Sequence, residues 1–277
     1  MPSFSFRPAS EFSAPQIADL LTHGFEGYLV PINIDKAALL TMLRRDGIDL
    51  NESRVLMKDD NPIGVALIAR RGSLRASRLA AMGIVSEARN SGAGTWAMEH
   101  LIEEARARGE RELVLEVIEQ NTAAVKLYQK VGFKSMRRLV GYKLENPQVE
   151  SKHELQEMDI RELAHLIIVH GIKDLPWQLS GETIALHTPP SRAFRLDKAY
   201  CLISDPEAEH VAIWSVLEIA QSRGAGLGPD LMRAVFSRFP NRTWHVPALY
   251  PEEMSAIFES AGMQREEISQ WQMSLSL

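Results

Sequence analysis

The sequence contains a single cysteine among its 277 residues, so no disulfide bond can form within the chain. Cys201 lies in the apolar run AYCLI, which favours a buried structural thiol over a reactive one. The sequence also lacks the run of about 18 apolar residues that a membrane helix needs, and its start, MPSFSFRPAS, lacks the apolar stretch of a signal peptide. We therefore expect a cytoplasmic protein without membrane contact.

Clusters of basic residues are also missing. The chain has 31 Lys and Arg against 36 Asp and Glu, which gives a formal net charge of -5. This acidic balance argues against a nucleic-acid partner and favours a cationic or amine-bearing small molecule. The apolar fraction of 45% and the charged fraction of 24% are those of an ordinary soluble globular protein.

The most informative feature that is present is an internal repeat. Residues 81–94 read AMGIVSEARNSGAG and residues 215–228 read SVLEIAQSRGAGLG, so an apolar run followed by Arg-x-x-Gly-x-Gly recurs 134 residues later. At the same offset the helically spaced apolar positions Ala97, Met98, Leu101, Ile102 and Ala105 correspond to Leu231, Met232, Val235, Phe236 and Phe239. The repeat predicts two homologous domains, residues 1–147 and 148–277, joined within the polar segment ENPQVES.

Hydrophobic patterning in the first half predicts the element order β-α-α-β-β-β-α-β-α-β. A strand over 77–85 precedes the glycines, a helix over 95–108 follows them, and a strand over 113–119 leads to a helix over 122–131. This order indicates an α/β (α+β) fold with a mixed sheet, in which one βαβ crossover carries the loop. The second half repeats the plan less cleanly.

The first glycine loop (residues 89–94) and the second glycine loop (residues 223–228) each connect a strand to a helix. Glycines let backbone N–H groups converge on a ligand, and the positive end of a helix adds to their effect, so the loop suits a phosphate group. Arg89 would either contact the phosphate or close the loop from outside. The alternative is that the glycines only shape a tight turn.

A dinucleotide-binding fold and an NAD-dependent oxidoreductase are a further alternative, since Gly92 to Ala97 satisfies G-x-G-x-x-A after a strand. Glu116 or Glu119 would then be the ribose-binding acid. Against this, six polar or small residues separate the strand from the first glycine, and the motif follows three strands instead of opening the domain.

Taken together, the strand GIV, the loop RNSGAG, the strand LVLEVIEQN and the helix TAAVKLYQKVGF resemble the GNAT (Gcn5-related) N-acetyltransferase family. The resemblance implies two tandem acyl-CoA N-acyltransferase domains, each a mixed, mostly antiparallel sheet flanked by helices. It implies acetyl-CoA as co-substrate and no metal. It also implies that the pyrophosphate is bound by Arg89, Asn90, Ser91, Gly92, Ala93, Gly94 and Thr95. The pantetheine arm and thioester would contact the backbone around Ile84 and Val85, and the side chain of Asn121.

Two residues are candidates for proton transfer. The resemblance makes Tyr128 the acid that protonates the departing CoA thiolate, and a core role on an amphipathic helix is its alternative. Glu116 interrupts the apolar strand LVLEVI and is the candidate base that accepts the proton of the amine, unless it is a solvated or paired strand glutamate. The segment HGFEGYLVP makes Glu26 and Tyr28 candidate acceptor contacts, or simply residues of a loop and a helix end.

The second half departs from the family pattern where the chemistry would occur. Its loop is intact, but Phe258, Pro251 and Val246 stand where the first half has Tyr128, Asn121 and Glu116. We therefore expect an enzyme, monomeric or homodimeric, whose first half acetylates an amine of a small molecule or peptide. The second half would be a degenerate domain that supports the first, by completing its sheet or by forming a wall of its acceptor cleft. A non-catalytic acyl-CoA-binding or regulatory protein is the alternative.

Overall fold

A computed structural model describes residues 4–30, 32–219 and 226–277. The predicted order of elements in the first half is confirmed. These elements are β1 (Phe4–Pro8), α1 (Ala14–Gly24), α2 (Lys36–Asp46), β2 (Ile48–Lys58), β3 (Asn61–Arg71), β4 (Ala76–Ile84), α3 (Ala93–Ala107), β5 (Glu112–Ile118), α4 (Thr122–Lys130) and β6 (Lys134–Glu145).

The second half follows the same plan with shorter elements. Where the first half has α2, it has only the four-residue helix α6, because prolines interrupt this part of the sequence. The elements are β7 (Gln156–Met158), α5 (Ile160–His170), α6 (Gly181–Ile184), β8 (Arg192–Leu196), β9 (Ala199–Ile203), β10 (His210–Glu218), α7 (Leu227–Arg238), β11 (Thr243–Pro251), α8 (Ser255–Ser260) and β12 (Gln264–Ser276).

Local sequence signals explain where the helices of the first half begin and end. Ser13 and Gln16 form a capping box before α1, in which Gln16 Oε1 accepts from Ser13 N at 2.9 Å. Asp35 caps α2 by accepting from Ala38 N at 2.7 Å. Gly47 then ends α2 in the left-handed conformation, with φ of 68°.

The first compact unit comprises the residues up to Met136 together with Trp271–Leu277. Its strands lie in the order β1-β2-β3-β4-β5-β12, where β12 contributes its C-terminal residues. Met273 is fully buried in the same core cluster as Met98 and Leu113, and Leu277 N donates to Arg111 O at 3.0 Å. The end of the chain therefore completes the sheet and the core of the first unit.

The second compact unit comprises Arg137–Gln270, with the strand order β7-β8-β9-β10-β11-β6. Its core contains Cys201, which is fully buried, and burial raises the pKa of this thiol to about 12. The division between the units falls inside β6, ahead of the boundary at 147/148 that the repeat suggests. The two divisions describe different properties, because one follows packing and the other follows duplication, and the domain boundary stays a prediction.

Candidate active site

The candidate active site begins where two parallel strands of the first unit separate. β4 pairs with β5 from Ala76 opposite Glu112 to Leu79 opposite Leu115, and both strands continue beyond this point. In its antiparallel pairing with β3, strand β4 carries a bulge at Ala80, where the register shifts by one residue. Bulges redirect strands and backbone groups. The ends of β4 and β5 therefore diverge on the side where the glycine loop begins.

The first glycine loop leaves β4 through a short 3-10 turn, Ser86–Ala88, and reaches α3 through two residues in the left-handed conformation. Asn90 has φ of 60° and Gly92 has φ of 89°. The hydroxyl of Ser91 donates to the carbonyl oxygen of Ala88, the last residue of the turn, at 2.7 Å, and this bond stabilises the turn. The first turn of α3 closes with the bond from Trp96 N to Gly92 O at 3.0 Å.

Three N–H groups precede that bond and have no intrahelical partner. They belong to Ala93, Gly94 and Thr95. Together with the partial positive charge of the helix end, they form a site suited to an anion. A Cβ on Gly92 would meet no described atom within 4 Å, so this glycine serves its positive φ and leaves the loop surface open. A Cβ on Gly94 would lie 3.2 Å from Leu127 and 3.5 Å from Ile84, so this glycine lets the helix pack closely.

Arg89 directs its guanidinium to backbone carbonyls. Nε donates to Ile84 O at 2.9 Å, and Nη2 donates to Gly24 O at 3.0 Å and to Glu26 O at 2.8 Å. These bonds connect the glycine loop to the end of α1. The geometry therefore favours the loop-closing role of Arg89 over a direct contact with phosphate.

The backbone of Val85, a predicted pantetheine contact, already has partners in the chain. Val85 N donates to Ile63 O at 2.9 Å, and Val85 O accepts from Ala88 N at 3.0 Å. The carbonyl of Ile84 is bound by Arg89. The contact of Ile84 and Val85 with pantetheine stays a prediction, and Val85 is the less suited of the two.

Close backbone packing brings the residues after α1 to this site. A Cβ on Gly24 would lie 2.7 Å from the backbone of Gly83, so the end of α1 can rest on β4 only because both residues are glycine. This glycine pair is not among the residues predicted from the sequence, although a glycine inside a strand is a signal of close backbone approach. The turn that follows, with Gly27 at φ of 70°, carries Tyr28, whose ring contacts Phe25 at 5.2 Å between centroids.

Tyr28, Asn121 and Tyr128 are brought together in the first unit. Asn121 caps α4 by accepting from Ala124 N at 3.2 Å, and its side chain also hydrogen-bonds to Tyr28. Burial raises the pKa of Tyr28, and the bond from Asn121 lowers it in part. Burial, and then the neighbouring Tyr28, raise the pKa of Tyr128 well above its ordinary value. Tyr128 is therefore a neutral phenol that keeps its proton across the usual pH range.

Glu116 forms an ion pair in the interior of the first unit. Arg78 Nε lies 2.6 Å from Glu116 Oε2, and the two side chains are 5% and 2% exposed. Arg78 Nη1 also lies 3.7 Å from Asp46 Oδ2. Glu116 Oε1 is buried without a hydrogen-bond partner among the described residues. The geometry favours the paired role for Glu116, and its role as a base stays a prediction.

The second unit lacks these polar side chains at the corresponding positions. The bond from Met263 N to Phe258 O, at 3.0 Å, repeats that from Phe133 N to Tyr128 O, so Phe258 does correspond to Tyr128. The strand register changes the residue that corresponds to Glu116. His210 of β10 lies opposite Thr243 of β11, as Ala76 of β4 lies opposite Glu112 of β5. Counting along β11 from Thr243, the position that corresponds to Glu116 is Pro247 and not Val246. Neither residue carries a carboxylate. Arg223, Gly224 and Ala225 lie outside the described residues.

Among the residues that the structure describes, no helix combines the length and the apolar character needed to cross a membrane. In the same parts of the chain, no group of three or more His, Cys, Asp or Glu side chains is arranged to hold a metal ion.

Residues 20–133 match the family model for the acetyltransferase (GNAT) family. A GCN5-related N-acetyltransferase from Sphaerobacter thermophilus is similar over 99% of this chain and 95% of its own, with 18% identity and a TM-score of 0.70. A putative acetyltransferase from Pyrococcus horikoshii is similar over 99% of this chain and 89% of its own, with 13% identity and a TM-score of 0.68. A tandem GNAT protein from the clavulanic acid biosynthesis pathway is similar over 99% of this chain and 98% of its own, with 16% identity and a TM-score of 0.68.

The comparison with curated proteins gives no match. The likeness to solved structures, at these identities, shows the fold, and the expected tandem α/β architecture is confirmed.

Proposed function

We propose that this chain is an acetyl-CoA-dependent N-acetyltransferase whose chemistry occurs in the first unit, because residues 20–133 match the model of the GNAT acetyltransferase family, whose members use acyl-CoA to acylate amines. The observation that carries the proposal is the neutral, buried phenol of Tyr128 beside Asn121 and Tyr28, in the same unit as an open helix N-terminus. An anion site and a proton donor are the two groups that this reaction requires of the protein.

The first glycine loop is proposed to bind the pyrophosphate of acetyl-CoA. The N–H groups of Ala93, Gly94 and Thr95 point out of the helix start, and Asn90, Ser91 and Gly92 shape the approach to it. Arg89 holds the loop against the end of α1 and adds positive charge nearby. The diverging strands β4 and β5 offer a path for the pantetheine arm, with Asn121 near its end.

The proposed reaction is a direct transfer. The amine nitrogen attacks the thioester carbon, a C–N bond forms, and the C–S bond breaks with its electron pair on sulfur. Tyr128 donates its proton to that sulfur, and the proton lost by the amine passes to water, from which the phenolate of Tyr128 is reprotonated. Because its raised pKa keeps Tyr128 protonated, we expect no loss of kcat from this group up to about pH 10.

Glu116 is proposed as a positioning residue, since its carboxylate holds Arg78 between β4 and β5 in the interior. Glu26 and Tyr28 remain the proposed acceptor contacts. Glu26 is exposed, and its carboxylate lies 3.9 Å from His23 Nε2. An exposed carboxylate at this position suits a protonated amine on a small molecule or a peptide.

Thiol release from acetyl-CoA, measured against a panel of amines, aminoglycosides, amino acids and peptides, tests the activity. With an active amine, Tyr128→Phe should lower kcat by roughly 10²–10⁴ while the affinity for acetyl-CoA persists, since only the proton donor is lost. Tyr142→Phe is the matched control, because it removes the hydroxyl of another fully buried tyrosine, in the second unit. We expect the control to keep its kcat.

Three results would contradict parts of this proposal. An unchanged kcat in Tyr128→Phe would assign Tyr128 to the core alone. Tight binding of acetyl-CoA without thiol release for any amine would favour a non-catalytic acyl-CoA-binding or regulatory protein. Binding of NAD in place of acetyl-CoA would favour the oxidoreductase alternative.

A further inference from the structure

The segment that follows α1 carries both proposed acceptor contacts. This α1-end segment comprises residues 24–28 and includes Glu26 and Tyr28. The amides of Phe25, Glu26 and Tyr28 each donate to a backbone carbonyl earlier in the chain, at 3.0 to 3.2 Å. An amide exchanges its hydrogen when such a bond opens, so these three amides report whether the segment keeps its conformation.

Arg89 caps the C-terminal end of α1. Its Nη2 donates to Gly24 O at 3.0 Å and to Glu26 O at 2.8 Å, although these residues lie 65 and 63 positions away in the sequence. The last carbonyls of a helix lack intrahelical partners and carry a partial negative charge, so an arginine there is favourable on both counts. The start of the α1-end segment is therefore stabilised by a cation of the first glycine loop.

The same side chain also contacts the strand that leads into the loop. Arg89 Nε donates to Ile84 O at 2.9 Å, at the end of β4, and Arg89 is itself the first residue of the first glycine loop. Arg89 is exposed, so in the free chain water competes for these bonds. A ligand that restrains the loop would hold Arg89 in place and so strengthen its bonds to the α1-end segment.

The other end of the segment contacts a second residue of the proposed acetyl-CoA site. Tyr28 hydrogen-bonds to the side chain of Asn121, which also accepts from Ala124 N at 3.2 Å. An asparagine amide has two N–H donors, so Asn121 can donate to Tyr28 and to the pantetheine arm together. The α1-end segment is thus held at its start by the glycine loop and at its end by a predicted pantetheine contact.

We infer that Arg89 is a positioning residue that couples the two substrate sites of the first unit. Acetyl-CoA on the first glycine loop restrains Arg89, and Arg89 then holds the α1-end segment, with Glu26 and Tyr28, in the conformation that receives the amine. This inference rests on the proposed function, because it takes the glycine loop as the acetyl-CoA site. It assigns Arg89 to the acceptor side instead of to a direct contact with pyrophosphate. Coupling of this kind is reciprocal, so a bound amine would also strengthen the binding of acetyl-CoA.

Hydrogen exchange of the full chain, measured with and without saturating CoA, tests the coupling. CoA is the probe because it needs no acceptor and undergoes no transfer. In the parent chain, CoA should slow exchange of the amides of Phe25, Glu26 and Tyr28 at least about fivefold, the lower end of the usual range of coupling between sites. Arg89→Lys keeps the positive charge, but its single nitrogen cannot replace both Nε and Nη2. In this variant the three amides should exchange faster without CoA, and CoA should bind without slowing them.

Arg75→Lys is the matched control. Arg75 Nε also donates to a backbone carbonyl, that of Gly109 at 2.6 Å, beyond the opposite end of α3. We expect this variant to show the exchange of the parent chain at the three amides and the same slowing by CoA.

Three results would overturn the inference. The first is CoA that binds to the parent chain and leaves the three amides unchanged. The second is faster exchange on binding, which would show that Arg89 leaves α1 for the pyrophosphate. The third is slowing that persists in Arg89→Lys. Failure of the parent chain to bind CoA would contradict the proposed function together with the coupling. The measurement on the parent chain decides the coupling even if a variant does not fold.

Discussion

The two units of this protein share one plan and differ at the places where the chemistry would occur. Both place a left-handed glycine before the helix that follows the loop, with φ of 89° at Gly92 and 79° at Gly226. In the first unit the preceding strand ends at Ile84, an apolar residue at the position that corresponds to Glu218. In the second unit Glu218 caps the helix. The helix end is thus open in the first unit, whereas in the second a carboxylate of the chain accepts from Gly228 N and Pro229 has no N–H at the position of Thr95.

The same contrast holds for the proton donor. Tyr128 and Phe258 occupy equivalent positions in α4 and α8, and both are buried. The phenyl ring of Phe258 stacks on Tyr142 at 5.1 Å and serves the core. A duplicated fold can therefore keep its packing while it loses or redirects the polar groups of its site.

A glutamate in the first unit at the position that corresponds to Glu218 should have the largest effect, which is on the binding of acetyl-CoA. Ile84→Glu would place an anion beside the N–H groups of α3, and like-charge contacts cost several kcal/mol, so binding of acetyl-CoA should weaken by roughly 100-fold or more. Ile84→Gln has a similar size without the charge and is the matched control. Calorimetric titration measures both. Equal losses in the two variants would show that side-chain shape, and not charge, distinguishes the units.

Removal of the interior ion pair is the next test, since the second unit has Ala212 at the offset position of Arg78. Arg78→Leu leaves the buried carboxylates of Glu116 and Asp46 without this cation, so the free energy of unfolding should fall by about 3–5 kcal/mol. Denaturant unfolding measures this change.

Glu116→Gln separates a positioning role from that of a base. If Glu116 only positions the strands, kcat of the folded variant should fall by less than about tenfold. The decrease of kcat towards low pH, which is the acid limb of the pH profile, should then remain in the variant. A fall of roughly 10²–10⁴ with loss of that limb would make Glu116 the base.

Shortening a side chain near the end of the chain tests how the first unit is completed. Met273 is fully buried in the core of that unit, so Met273→Ala should lower the free energy of unfolding by about 2–5 kcal/mol. Hydrogen exchange should show the lost protection in β5. Met136→Ala, at a position that is 37% exposed, is the control with little expected effect. Lost protection confined to the second unit would contradict this assignment of Met273.

Sequence alone was sufficient for the order of the elements and for the glycine loop of the first unit. These features depend on local patterns, such as the capping box at Ser13 and the turn glycines before α3. The contacts that decide the roles of Glu116 and Arg89 join residues far apart in sequence. Arg78 is 38 residues from Glu116, and Gly24 is 65 residues from Arg89.

The role of Glu218 could not be predicted for a similar reason. A glutamate at the end of an apolar strand gives no local signal that its carboxylate will cap the next helix. The return of residues 271–277 to the first unit depends on pairing across most of the chain, which periodicity does not report. The resemblance located Tyr128, but only the structure brings it together with Tyr28 and Asn121.

The stoichiometry of acetyl-CoA binding to the intact chain shows whether only the first unit binds this co-substrate. Calorimetric titration should give one molecule per chain, because the first unit offers free helix N–H groups and the second has its helix capped by Glu218. Ile84→Glu should remove that single binding event. Two molecules per chain, or one molecule that still binds normally in Ile84→Glu, would contradict the account.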